Sequence, residues 1–174
     1  VMVTARWADN TTADYMVVYW QEKVPGTYDD SEGLQYDYKE SYSGTGTVGQ
    51  GILYTAKTYE GFELNEAKSN VDVKITADGK AVKNVYYDRK EYSIKFYYSS
   101  REITNLRITA KFGTDISGQW NDVDHSGYNW KTGTSYFDAT YTGFSNMPAE
   151  NINVYRGSKK NGNKSIVYYT EDLT

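Results

Sequence analysis

The chain has 174 residues, enough for one ordinary domain or two small ones, and carries a net charge of -4 with a pI near 5.1. No overall basic field exists to attract nucleic acid or anionic lipid. The absence of cysteine removes disulfide frameworks, thiol nucleophiles and thiolate metal sites together. Mean hydropathy is -0.75, yet 16% of residues are aromatic and 19 are Tyr, bulk that disordered chains lack, so this composition folds.

In chain order, Val1 to Trp7 reads as a strand-like run with no signal peptide before it, as expected for a piece of a larger protein. Tyr15 to Trp20 is apolar at both parities, which predicts a strand covered on both sides. A glycine-rich turn follows at 43–51, and Ile52 to Ala56 reads as a strand. Gly61 to Ser69 has room for one short helix with Asn65 as its N-cap. Val71, Val73 and Ile75 alternate with polar residues and predict a half-buried strand. Asp78-Gly79 then turns the chain into another strand at about 81–87. Tyr92, Ile94, Phe96 and Tyr98 repeat the period of two, as do Leu106, Ile108, Ala110 and Phe112. Asp115 to Trp120 can form a helical turn, with Ile116 and Trp120 on one face. Nowhere is there a run of about 18 apolar residues, so no membrane insertion is expected.

Self-similarity organises these elements. Tyr15-Met16-Val17-Val18-Tyr19-Trp20 aligns with Tyr92-Ser93-Ile94-Lys95-Phe96-Tyr97, and Thr55-Ala56-Lys57 reappears as Thr109-Ala110-Lys111. Asn84-Val85-Tyr86-Tyr87 echoes Asn153-Val154-Tyr155. The expected division is 1–14 as the end of a preceding repeat or linker, 15–90 as one module and 91–157 as a second, diverged repeat. Residues 158–174 then form a polar linker leading to a candidate first strand of a further copy.

The succession YMVVYWQEK (15–23), SGTGTVGQG (43–51), TAKTYEGFELNEAKS (55–69) and ADGKAVKNVYYDRKEY (77–92) resembles the B-repeats of internalin-type surface proteins, also called Listeria–Bacteroides repeats. The second unit keeps YSIKFYY (92–98) and ITAKFG (108–113) but lacks the YEGF and YYDR elements. The resemblance implies a β-rich α+β chain of tandem β-grasp (ubiquitin-like) repeats, each a small sheet with one short helix. It also implies a secreted or cell-wall-attached protein of Gram-positive bacteria, acting as stalk, spacer or adhesive module and not as an enzyme. No catalytic residue and no cofactor is carried over from it.

The motifs that mimic chemistry have plain alternatives. Gly44-Thr45-Gly46-Thr47-Val48-Gly49 matches G-x-G-x-x-G, but a dinucleotide site needs a helix N-terminus behind the motif, and a strand-like run follows here. It reads as a turn. Asp122 and Asp124 open a calcium-loop-like stretch and are candidates for a weak cation loop; the closing Glu position falls on Gly133. Asp124, His125 and Ser126 are consecutive and so do not converge as a triad does. As the only His, His125 excludes a His-based zinc site.

Tyr128, Trp130 and Tyr141 are the candidate partner or glycan contacts, because Tyr128 and Trp130 lie beyond the strand pattern where exposed aromatics can stack on sugars or anchor an interface. Trp20 and Trp120 fit a core role instead. A host surface protein or glycan is the expected partner, together with neighbouring repeats of the same chain. The alternative is a carbohydrate-binding module of a secreted glycan-active enzyme, which requires Tyr128 and Trp130 to be exposed and coplanar. A small hydrolase, with two carboxylates converging in a cleft, ranks last.

Overall fold

The computed structural model describes residues 11–28, 35–124 and 127–160. The chain divides into two compact units, neither of them a single stretch. The first takes in the described residues up to Ser93 together with Thr109–Asp115 and Asn146–Asn151; the second takes in Ile94–Ile108, Ile116–Ser145 and the described residues from Ile152.

The first sheet is built on strand β1 (Thr12–Glu22). Ala13, Tyr15, Val17 and Tyr19 alternate inward, and Ala13, Val17 and Tyr19 are fully enclosed. Strand β2 (Tyr36–Thr47) pairs antiparallel with β1, and β4 (Ala81–Arg89) lies parallel to β1 on its other side. The short β3 (Phe62–Leu64) closes the edge antiparallel to β4, giving the order β2-β1-β4-β3. Ile52, Phe62 and Ile75 join Val85 and Tyr87 in the core on the inward face. Lys83 also points inward; its stem is buried while its ammonium reaches the Val71 carbonyl at 2.5 Å.

Two glycines of the G-x-G-x-x-G run lie in β2, not in a phosphate loop. A Cβ on Gly44 would sit 2.6 Å from the Tyr15 ring, and one on Gly46 would sit 2.6 Å from Ile75 Cδ1. These positions are glycine because a side chain packs onto the backbone there. Gly49, at φ +85, makes the turn that follows. The expected strand at Val71–Ile75 is instead an extended segment bonded to 49–52, with Ile52 N–H donating to Val73 and Ile75 N–H donating to Gln50. Asp78-Gly79 turns the chain as expected, but it delivers β4 beside β1 and not back along 71–77.

The second sheet contains β5 (Glu91–Tyr98), β6 (Arg101–Glu102), β7 (Ile108–Lys111), β8 (Tyr128–Lys131) and β9 (Ile152–Lys159). Its order is β6-β5-β9-β8, with β7 also paired to β5; β5 and β9 are parallel while β6 and β8 run antiparallel to their partners. Ile94, Phe96, Trp120, Trp130 and Val154 are buried in this unit. The Phe96 ring meets Trp130 edge-on at 4.9 Å and Trp120 at 6.0 Å.

These observations correct the expected fold class. The described residues are mostly β, with 47% strand and 10% helix, in two mixed sheets with two α-helices, and among them no clear repeat of β-grasp units is present. The physical reason lies in helix length. Helix α1 (Glu66–Ser69) is a single turn and α2 (Ser117–Asp124) about two, so the backbone is paired mainly in strands instead. Helix α1 does begin where its cap requires, since Asn65 Oδ1 accepts from Lys68 N–H at 2.9 Å.

A partly buried polar knot lies within the first unit. Glu22 accepts from Lys111 Nζ at 2.6 Å and from the Arg89 backbone N–H at 2.8 Å. The Arg89 guanidinium donates to the Glu22 and Phe112 carbonyls and lies over the Phe62 ring. Burial holds the Arg89 pKa below its ordinary value, against the pull of Glu22 and Asp37. Every group in the knot has a structural partner.

Candidate functional site

The register of the first sheet gathers aromatic rings on its outer face. Trp20 stands opposite Tyr38 across the β1–β2 pair and opposite Tyr86 across the parallel β1–β4 pair. An irregularity between Tyr19 and Trp20 shifts the β1–β2 register at that point. The Trp20 and Tyr86 rings stack with centroids 6.5 Å apart and planes 18° from parallel. Tyr38 meets Trp20 edge-on at 6.3 Å, and Tyr36 meets Tyr86 edge-on at 4.9 Å. Tyr38 keeps 60% of its surface exposed, and Met16 and Val82 beside the row are exposed as well.

Beside this row lies a cleft of about 420 Å³, lined by Gln35, Tyr36, Lys68, Val71, Asn84 and Tyr86. Its polar groups are positioned from below. Asp88 accepts from Tyr36 Oη at 2.5 Å and from Asn65 Nδ2 at 2.7 Å, so the residue that caps α1 also anchors the Tyr36 acceptor. Lys68, in the turn that Asn65 caps, donates to Tyr36 Oη at 2.9 Å and lies over that ring. Ser69 accepts from Tyr86 N–H at 2.8 Å, which ties α1 to β4. Asn84 accepts from Trp20 Nε1 at 2.8 Å and lines the cleft with its amide. Burial, then the bond to Asp88, drives the Tyr36 phenol well above its ordinary pKa, so it stays a neutral donor. The result is a near-parallel Trp20–Tyr86 pair flanked by two edge-on tyrosines, with an amide, a phenol and an ammonium beside it.

A second polar cluster occupies the inward side. Both Glu40 oxygens are taken, one by Lys57 Nζ and one by Tyr59 Oη, each at 2.5 Å. These two bonds hold the Glu40 carboxyl below its ordinary range. Burial pushes the Tyr19 phenol up to about 12 and, with the Glu40 bond, moves Tyr59 higher still. Unfolded phenols titrate near ~10, so above that pH the unfolded state has lost protons that the folded state keeps. Stability present below pH ~10 is therefore lost as pH rises through ~12. Melting temperatures followed from about pH 8 to 11.5, with phenolate absorbance read in parallel, should fall above pH ~10, and less steeply in Tyr59→Phe. A melting temperature flat to pH 11.5 would contradict this account of the tyrosine cluster.

The residues expected to form the site are placed differently. Trp130 lies in β8 with 1% of its surface exposed, so its role as an exposed contact is corrected: it is core. Tyr128, also in β8, is half-buried, with the Arg156 guanidinium 4.4 Å from its ring centre. Tyr141 is half-buried against Phe144, and its N–H donates to the Trp130 carbonyl. The three therefore form no exposed platform, and the glycan reading that needed Tyr128 and Trp130 exposed and coplanar fails in that form. Asp122 is exposed on α2 and Asp124 ends that helix, where a cation loop was expected. The Asp124 side chain, His125 and Ser126 lie outside the described residues. Among the described residues, no group of three or more His, Asp or Glu is placed to hold a metal ion.

Sequence reasoning assigned Trp20 to the core and passed over Tyr36, Tyr38, Asn84 and Tyr86. The available signal was the outward parity of β1, where Met16, Val18 and Trp20 are apolar although the inward parity already supplies the core. The outer face of the strand is covered only in part: Val18 is 7% exposed and Met16 40%. No protein-family model and no curated protein matches the sequence. No helix among the described residues is long and apolar enough to cross a membrane.

Proposed function

We propose that the chain is a non-catalytic module of a secreted or wall-attached bacterial surface protein, a spacer that also adheres to neutral glycan through the Tyr38–Trp20–Tyr86 face. The observation that carries the adhesive part is the near-parallel Trp20–Tyr86 pair beside the Asn84 and Lys68 rim. Flat rings offer an apolar surface to the C–H face of a pyranose, and the amide and ammonium can bond its hydroxyls. The spacer part is supported by the buried apolar residues that each of the two units contains. The likeness of 15–92 to the B-repeats supports the extracellular setting. A non-catalytic role is supported by the state of Glu22 and Glu40, which are paired structural carboxylates and not free bases. If the parent protein is instead a secreted glycan-active enzyme, the same face serves as its carbohydrate-binding surface.

Affinity electrophoresis through soluble neutral polysaccharides (xylan, mixed-linkage glucan, galactomannan) tests the adhesive part. Retardation of the wild-type chain should fall at least about tenfold in Trp20→Ala and Tyr86→Ala, and less in Tyr38→Ala, with near-ultraviolet circular dichroism confirming the fold. Lack of retardation on all three gels, or retardation indifferent to Trp20 and Tyr86, would remove glycan adhesion through this face and leave the spacer role.

A further inference from the structure

The second unit contains an arginine arrangement that neither its core nor the aromatic face of the first unit uses. The Arg156 guanidinium lies between two rings, 3.7 Å from the centre of Tyr98 and 4.4 Å from that of Tyr128. Arg156 and Arg101 line one cleft of about 380 Å³, with Tyr98, Glu102, Ile103, Thr104 and Asn105. Among the described residues, neither arginine forms an ion pair with a carboxylate. The one acid of the cleft is already engaged, since Glu102 Oε1 accepts from both Arg107 Nε and Arg107 Nη2 at 2.7 Å.

We infer that this cleft binds a carboxylate-bearing saccharide, with Arg156 as the fork that takes the carboxylate. Close contact with two aromatic rings restrains the guanidinium, which lowers the entropy loss of ordering an arginine on a ligand. A planar fork matches a carboxylate in two parallel hydrogen bonds, which an ammonium cannot reproduce. Arg101 adds a second positive charge in a chain whose net charge is -4, so the local field runs against the overall one. The remaining lining favours a sugar over an acidic peptide. Thr104 and Asn105 are neutral hydroxyl and amide groups, and Tyr98 keeps 57% of its surface open for a pyranose face. The inference goes beyond the proposed neutral-glycan face: it uses other residues and another ligand chemistry, so either reading can fail alone.

Isothermal titration of the full chain with an oligogalacturonate, its methyl ester and poly-glutamate provides the test. The acid form should bind, and the ester, which keeps the ring but loses the charge, should bind at least about tenfold more weakly. Arg156→Gln and Arg156→Lys should each lose binding by a similar factor, because the lysine restores charge without the fork. Arg101→Gln, which leaves the Tyr98–Arg156–Tyr128 stack in place, should weaken it several-fold and guards against misfolding in the Arg156 variants. Failure of the oligogalacturonate to bind, equal binding of the ester, full activity of Arg156→Lys, or indifference to Arg101→Gln would overturn the inference. Poly-glutamate binding as tightly as the saccharide would overturn it in favour of an acidic peptide.

Discussion

Trp130→Ala is expected to destabilise the chain by about 3–5 kcal/mol, the range for emptying a buried tryptophan site. Trp130 is 1% exposed and its ring meets Phe96 edge-on at 4.9 Å, so truncation opens a cavity in the middle of the second unit's core. Among the described residues its buried Nε1 has no hydrogen-bond partner, which makes the ordering of variants informative. Trp130→Phe removes that unsatisfied donor while keeping an aromatic ring, so it should cost clearly less than the alanine variant, about 1–2 kcal/mol. Urea denaturation of the three proteins checks both size and order. A loss under ~1 kcal/mol for the alanine variant would mean that Trp130 is not core.

Gly61→Ala should have the second large effect, about 3 kcal/mol or more, from two independent penalties. Gly61 has φ +76, a conformation that alanine resists, and a Cβ there would run into the Phe112 ring. Phe112 cannot retreat freely, because it packs edge-on against Phe62 and lies beneath the Arg89 guanidinium. Gly49 provides the control. It has φ +85 but no atom within 4 Å of its added Cβ, so Gly49→Ala should show only the backbone penalty of about 1–2 kcal/mol. Equal losses for the two variants would show that the Phe112 contact contributes nothing.

The contrast between Trp130 and Trp20 shows what could be read from residue order. Period-two alternation located β5, where Ile94 and Phe96 are buried as their parity required, and Asn65 signalled the start of α1 by its side-chain chemistry. Both are local properties, fixed by neighbours along the chain. Exposure of a single tryptophan is not local. Trp130 follows a loop-like stretch in sequence, but pairing of β8 with β9 carries it under Phe96. Trp20 lies in a run apolar at both parities, which suits a covered strand equally well as a strand with one sticky face. The choice depended on what lies over the outer face, where Val18 is buried but Met16 is exposed. The tandem β-grasp expectation failed for a related reason, since sequence likeness carried a fold that strand and helix content do not bear out. Likewise Val71–Ile75 has strand alternation but, among the described residues, pairs through an isolated bridge between Gly51 and Lys74, a partnership that no local pattern encodes.

In the proposed role the outer face of the first sheet is a contact surface. Backbone amide shift mapping by NMR, with a neutral xylo-oligosaccharide titrated into labelled protein, addresses it most directly. Perturbations concentrated at Trp20, Tyr38, Asn84 and Tyr86, and lost in Trp20→Ala, are the predicted result. Shifts clustered elsewhere in the chain, or a spectrum that the sugar leaves unchanged at saturating concentration, would contradict it.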